Sequence, residues 1–155
     1  MDVSIEIHGL EEVQRKMEQV IADLAGPPMV QAMRNATLLV ERDAKRYAPV
    51  DTGRLRASIT PEVRTQGRTV MGVVGSNVKY APFMELGAKP HWSPFGPGSA
   101  LELWARRHGM QAFVMARAIA RRGIEARRFL ERAVRDNGDR IRDIINRAVG
   151  GIVAT

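Results

Sequence analysis

Asp51, Glu85 and His91 have the side-chain types of an acid–base group, with carboxylates to exchange protons and an imidazole to relay them. They fall in three separate loop regions, and nothing in the sequence brings them together. The other histidines, His8 and His108, stand at no spacing that would put two imidazoles on one helix face. No serine sits between the glycines of a nucleophile elbow, so acyl-transfer chemistry has no candidate. Cysteine is absent, which removes disulfides, thiolate metal sites and a thiol nucleophile. There is no HExxH, no Cys/His cluster and no acidic calcium loop. The glycines at 67, 72, 75, 87, 96 and 98 fit neither a P-loop nor a dinucleotide fingerprint, and hairpin and loop geometry accounts for them. The sequence therefore predicts no catalytic residue, no metal and no cofactor.

Charge is the stronger chemical signal. The net +7 is uneven: residues 1–50 hold six basic and eight acidic side chains, 51–100 six and three, and 101–155 twelve and six. All twelve basic residues of the last third are arginine. Such a half suits nucleic-acid phosphate or a partner's carboxylates, because the planar guanidinium fork serves both. It also suits a solvated helical face laced with Asp and Glu. Arg106, Arg107, Arg117, Arg121, Arg122, Arg127 and Arg128 are the candidates for phosphate contact without base readout. The short helices and glycine turns of 101–134 superficially resemble a helix-turn-helix reader, but the turns at Gly109 and Gly123 keep no fixed three-helix register.

The elements that must position these residues follow from periodicity. Val3, Ile5 and Ile7 alternate with polar residues as in a half-buried strand, with His8 on the polar side and Gly9 ending it. Leu10, Val13, Met17, Val20 or Ile21 and Leu24 recur at helical steps up to the Ala25–Pro28 stop. Met29, Met33, Ala36, Val40, Ala44 and Tyr47 make a continuous apolar stripe, predicting a second helix on the order of 30 Å long. The residue before a proline leaves the α region, so this helix must stop at Ala48-Pro49. Asp51, Thr52, Gly53 and Leu55 then define a rigid corner.

Beyond the corner, Arg56 to Thr65 and Thr69 to Ser76 read as an antiparallel hairpin closed by Gln66-Gly67-Arg68, with Pro61 marking an edge or bulge. Gly72 and Gly75 weaken the second strand and allow close backbone approach. Val78 to Gly87 is an apolar helical turn ended by glycine. Residues 88–99 form a Pro/Gly-rich loop whose Trp92 and Phe95 either cap the small core or offer a docking surface. Four short helices follow: from Leu101 to Gly109, Phe113 to Arg122, Arg127 to Asn137 before a Gly138 break, and Arg140 to Val149. The expected class is one α+β domain over 1–155: a small antiparallel sheet, the N-terminal strand plus the hairpin, packed by a long helix and several short C-terminal ones. No apolar run approaches the roughly 18 residues of a membrane span, and the N-terminus has no signal-peptide pattern.

Four blocks together resemble the tail-component (virion morphogenesis) family of long-tailed bacteriophages, which includes relatives of the tail completion protein Z of phage lambda. They are APVDTGRLRASI at 48–59, VGSNVKYAPFMELGAKPHW at 74–92, LELWARRHGM with AFVMARAIARRG within 101–123, and ARRFLERAV at 126–134. The resemblance covers roughly 45–135, and its central stretch is similar to versions found in Mu-like prophages. The FGPGS loop departs from the pattern by its length.

The resemblance implies a non-enzymatic structural subunit of the phage or prophage virion neck or tail, made in the bacterial host cytoplasm. It implies tail completion and head–tail joining through a six-fold homo-oligomeric ring around the DNA channel, formed on the virion by a subunit that is monomeric in solution. The implied partners are further copies of itself, the head connector and tail-tube proteins, and genomic DNA touched non-specifically, with no membrane. Tyr80, Glu85, Gly87, Trp92 and Phe95 are the expected interface residues. The alternative is a stand-alone, non-specific nucleic-acid-binding protein that uses the arginine-rich C-terminal helices.

Overall fold

Apolar residues at three- and four-residue steps give the helices of the computed structural model, which describes residues 10–154. The strand expected over Val3, Ile5 and Ile7, and His8 beside it, lie outside the described residues. Helix α1 spans Leu10–Asp23 and α2 spans Pro27–Tyr47, with two prolines opening α2 where a missing N–H costs nothing. The five-residue α3 (Arg54–Ser58) leads into an antiparallel hairpin of β1 (Ile59–Gln66) and β2 (Thr69–Ser76). Then follow α4 (Ala81–Leu86), α5 (Ala100–Arg107), α6 (Ala112–Arg122), α7 (Phe129–Asp136) and α8 (Gly138–Val153). The protein is α+β: a two-stranded antiparallel sheet with a long helix and several shorter ones.

Two differences from the sequence expectation concern boundaries. The first strand begins at Ile59, not Arg56, because residues 54–58 close a helical turn in which the Ala57 amide donates to the Gly53 carbonyl at 2.9 Å. Gly138 is not a break; it opens α8, and the interruption before it is the buried Asn137.

The chain divides into two compact units, residues 10–43, 60–75 and 133–154 in the first and 44–59 and 76–132 in the second. In the first, Met29, Ala32 and Ile152 form the buried centre. Val20, Leu24, Val70, Ile144, Ile145, Ala148 and Val149 pack against it, so α1, α2, β2 and α8 all contribute. The two-residue turn at Gly67-Arg68 puts Val63 opposite Gly72 and Pro61 opposite Val74. These are also the half-buried positions of the two strands, so one face of the hairpin is turned to the helices. Gly72 is a glycine for steric reasons. A Cβ there would come within 2.5 Å of the Thr37 methyl and 2.8 Å of the Met33 sulfur on α2.

In the second unit the buried positions are mostly alanine (Ala44, Ala48, Ala81, Ala105, Ala116), with Leu55, Ile59, Val78 and Phe129 as the larger groups. Small side chains let short helices approach closely, and α5 and α6 pack on each other. The Asp51–Gly53 corner has a specific backbone requirement: Gly53 takes φ 79°, ψ −6°, the left-handed region. No atom lies within 4 Å of where its Cβ would stand, so Gly53→Val meets strain without a clash. The expected cost is about 2 kcal/mol, read as a lowered melting temperature. An unchanged melting curve would show that the corner relaxes to another conformation.

Candidate interaction surface

The residues singled out from the sequence are each held by separate local partners rather than gathered around a cleft. Asp51 at the corner accepts from Arg107 Nη2 at 2.6 Å and contacts His108 Nε2 at 3.0 Å, tying the corner to the end of α5. Glu85 on α4 accepts the Leu130 amide on one carboxylate oxygen and the Glu131 amide on the other, each at 2.9 Å. It thereby caps the start of α7, whose first amides have no partner within the helix. His91 contacts the Lys89 carbonyl and Ser93 Oγ within its own loop. No bond joins Asp51, Glu85 and His91 to one another. Among the described residues no group of three or more His, Cys, Asp or Glu is placed to hold a metal ion, and no helix is long and apolar enough to cross a membrane.

The bond from Arg107 is the main reason the Asp51 carboxyl lies below its ordinary value; desolvation opposes the shift and the His108 contact adds to it. A depressed folded-state pKa stabilises the fold above the ordinary value of 3.8 and stops doing so as pH falls through the lower folded value. Asp51→Asn is therefore expected to melt below the wild type at neutral pH, with the gap narrowing as the pH is taken under 3.8. A gap unchanged down to the acid limit would show that the side chain acts by shape rather than by charge.

A strap joins α4 to the segment before α7. Ala88 and Ile124 exchange both amide–carbonyl bonds, at 2.9 and 2.8 Å, as an antiparallel bridge. The amides of Arg127 and Arg128 donate to the Met84 and Glu85 carbonyls. Arg128 takes φ 48°, an uncommon conformation for a residue with a side chain, which these bonds hold in place. Gly87 and Gly123 flank the bridge at φ 74°, ψ −176° and φ 76°, ψ −159°, a region open essentially to glycine alone.

The aromatic loop is partly ordered on itself. Trp92, Phe95 and Phe113 meet edge to face with ring centroids 5.5–6.2 Å apart. Trp92 and Phe113 nevertheless remain 55% and 50% exposed. Tyr80 is also exposed, and with Arg54, Ser58, Asn77 and Lys79 it lines an open depression that contains no acidic side chain.

The seven arginines separate by their partners. Arg106 bonds Glu102, Arg107 bonds Asp51, and Arg128 contacts Glu131 at 3.4 Å. Arg117, Arg121, Arg122 and Arg127 have no side-chain partner among the described residues. The charge is segregated by unit: the second holds 14 basic and 5 acidic residues, +9, whereas the described residues of the first hold ten of each.

Residues 11–87 match a family model described as "Bacteriophage HK97-gp10, putative tail-component". The match takes in α1, α2, the corner, the hairpin and α4, and stops at Gly87, at the strap. The N-terminal helices thus carry the family pattern along with the corner, while the arginine-rich blocks at 101–134 lie beyond it. No curated protein and no solved structure matches the chain significantly. Over residues 11–87, roughly half its length, this chain is a member of the HK97-gp10-like family of bacteriophage tail components, and a tail component is a part of the virion.

Proposed function

We propose that this protein is a structural subunit that completes the phage tail and joins it to the head, acting by assembling into a ring around the DNA channel. The observation that carries the reading is the family match over the helices, corner and hairpin. The segregated charge supports it: a subunit with one strongly basic unit, repeated around an axis, presents a collar of guanidinium groups to passing phosphate without reading bases. Arg122 and Arg127, without a side-chain partner among the described residues, are the side chains proposed to make that contact. Tyr80, Trp92 and Phe95 belong to the proposed subunit interface, with Glu85 and Gly87 shaping the strap behind it. The head connector and the tail-tube protein are the proposed neighbours.

The test is immunodetection of the protein in purified virions, with electron microscopy of particles assembled without it. The expected result is a neck- or tail-located signal and tails that fail to join heads. Normal, infectious particles lacking the protein would end the proposal.

The +9 unit also favours a second reading, a free-standing non-specific nucleic-acid binder. That reading requires the isolated monomer to bind duplex DNA tightly, with affinity falling steeply as salt rises. The ring reading expects weak binding by the isolated subunit, because its charge gains strength only by repetition. A gel-shift series at two salt concentrations separates the two.

A further inference from the structure

Helix α1 has one apolar face, and only its C-terminal part is packed. Val20 and Leu24 lie against the core of their unit, whereas Val13 and Met17 of the same stripe are 56% and 61% exposed and Ile21 is exposed beside them. The helix carries four acidic residues (Glu11, Glu12, Glu18, Asp23) against two basic ones. Helix α6 is its chemical complement. Phe113 and Val114 are exposed on its first turn, and Phe113 is held in place by Trp92 and Phe95. Arg117 and Arg121 continue the same face at four-residue steps, and the helix contains no acidic residue at all.

We propose that α1 of one copy docks antiparallel on the exposed face of α6 of a second copy, as a head-to-tail contact between subunits. This rests on the subunit reading above and assigns its interface. In the antiparallel arrangement Ile21 meets Phe113 and Val114, Glu18 faces Arg117, and Glu11 lies beside Arg121. The acidic first turn of α1 then sits at the C-terminal end of α6, and the two helix dipoles run in opposite senses. The reverse arrangement would set Glu11 against the apolar turn of α6 and leave its cationic end against Ile21. Two α1 helices cannot serve each other as well, because the bare stripe of each is rimmed by acid. A contact about 16–21 Å long, the length of the two helices, is at the low end of interface sizes. It is weak between two free molecules and gains strength when copies are held around an axis.

The absence of cysteine makes the test clean. Full-length Ile21→Cys and full-length Val114→Cys proteins, mixed at equal and high concentration under mild oxidation, are expected to give mixed-disulfide dimers well in excess of either self-dimer. Adding Glu11→Arg and Glu18→Arg to the first protein should reduce the mixed dimer about tenfold. Adding Arg117→Glu and Arg121→Glu to its partner should restore it. These substitutions lie on exposed helix surface, and unchanged circular dichroism melts would confirm that the fold survives. Mixed dimers no more abundant than self-dimers, or indifferent to the charge reversal, would overturn the contact. Virion location is read separately, so a failed cross-link with the protein present in tails discards this interface alone. A charge-dependent cross-link with the protein absent from virions discards the tail role alone.

Discussion

Gly123→Ala is expected to lower the melting temperature by roughly 10 °C. Two penalties add at that position. With φ 76° and ψ −159°, an L-residue carries backbone strain of about 1–3 kcal/mol. The new Cβ would also overlap the Ala88 carbonyl oxygen and stand 3.0 Å from the Lys89 carbonyl carbon and 3.1 Å from the Pro90 nitrogen. These are backbone atoms that cannot swing aside as a side-chain tip does. Relief therefore requires breaking the two Ala88–Ile124 bonds, and the total cost comes to about 3–5 kcal/mol. Gly87→Ala should behave alike, since its Cβ would lie 2.5 Å from the Ile124 carbonyl. Gly150→Ala is the control. It sits inside α8 with open space around it, and the added methyl should stabilise the protein slightly. Thermal melts of the three variants check the set; a Gly123→Ala protein that melts with the wild type would show that the bridge is dispensable.

The second large effect is expected at Asp43. This carboxylate on α2 is only 4% exposed, and it accepts Arg42 Nε and Nη2 at 3.1 and 3.2 Å and Asn137 Nδ2 at 2.7 Å. Asn137 is 1% exposed; its amide also donates to the Ala133 carbonyl, and its Oδ1 has no partner among the described residues. Asp43→Ala leaves a buried amide half-satisfied and removes the acceptor from a charge-assisted pair, at a cost of about 3 kcal/mol. Asn137→Ala takes away the donor and leaves a small void, at a cost of about 2 kcal/mol. Because the two share one bond, the double variant should cost about 1–2 kcal/mol less than the sum of the singles. Chemical denaturation of all four proteins supplies the cycle. Strict additivity would show that the 2.7 Å bond contributes nothing of its own.

Local patterns were readable in the residues, and distant pairings were not. The stripe from Met29 to Tyr47 marks α2 because six apolar residues keep helical steps through a long charged segment. Gly87, Gly109 and Gly123 are legible as stops, and all three adopt positive φ. The segment 54–58 misleads because Leu55 and Ile59 are four residues apart, a spacing that satisfies both a strand's period of two and a helix's of 3.6. Gly138 misleads because the chain pauses one residue earlier, where Asn137 turns inward to a carboxylate 94 positions away. The same limit hides the Glu85 cap, whose partners lie 45 and 46 residues on. Nothing in MELG announces that its glutamate will grip the start of another helix. The surface arginines were identifiable by type, but only the fold distinguishes those already engaged from those without a partner among the described residues.

The carboxylate at the head of α7 decides how a polyanion can be handled. Helix beginnings commonly seat phosphate on bare amides, but here Glu85 already occupies that seat, and its negative charge would repel a second anion. In the proposed ring, nucleic acid passing this helix start would meet long, swivelling guanidinium tips and no backbone cradle. Such tips would release one phosphate as readily as they take the next, a grip that would let a duplex slide without holding it in register.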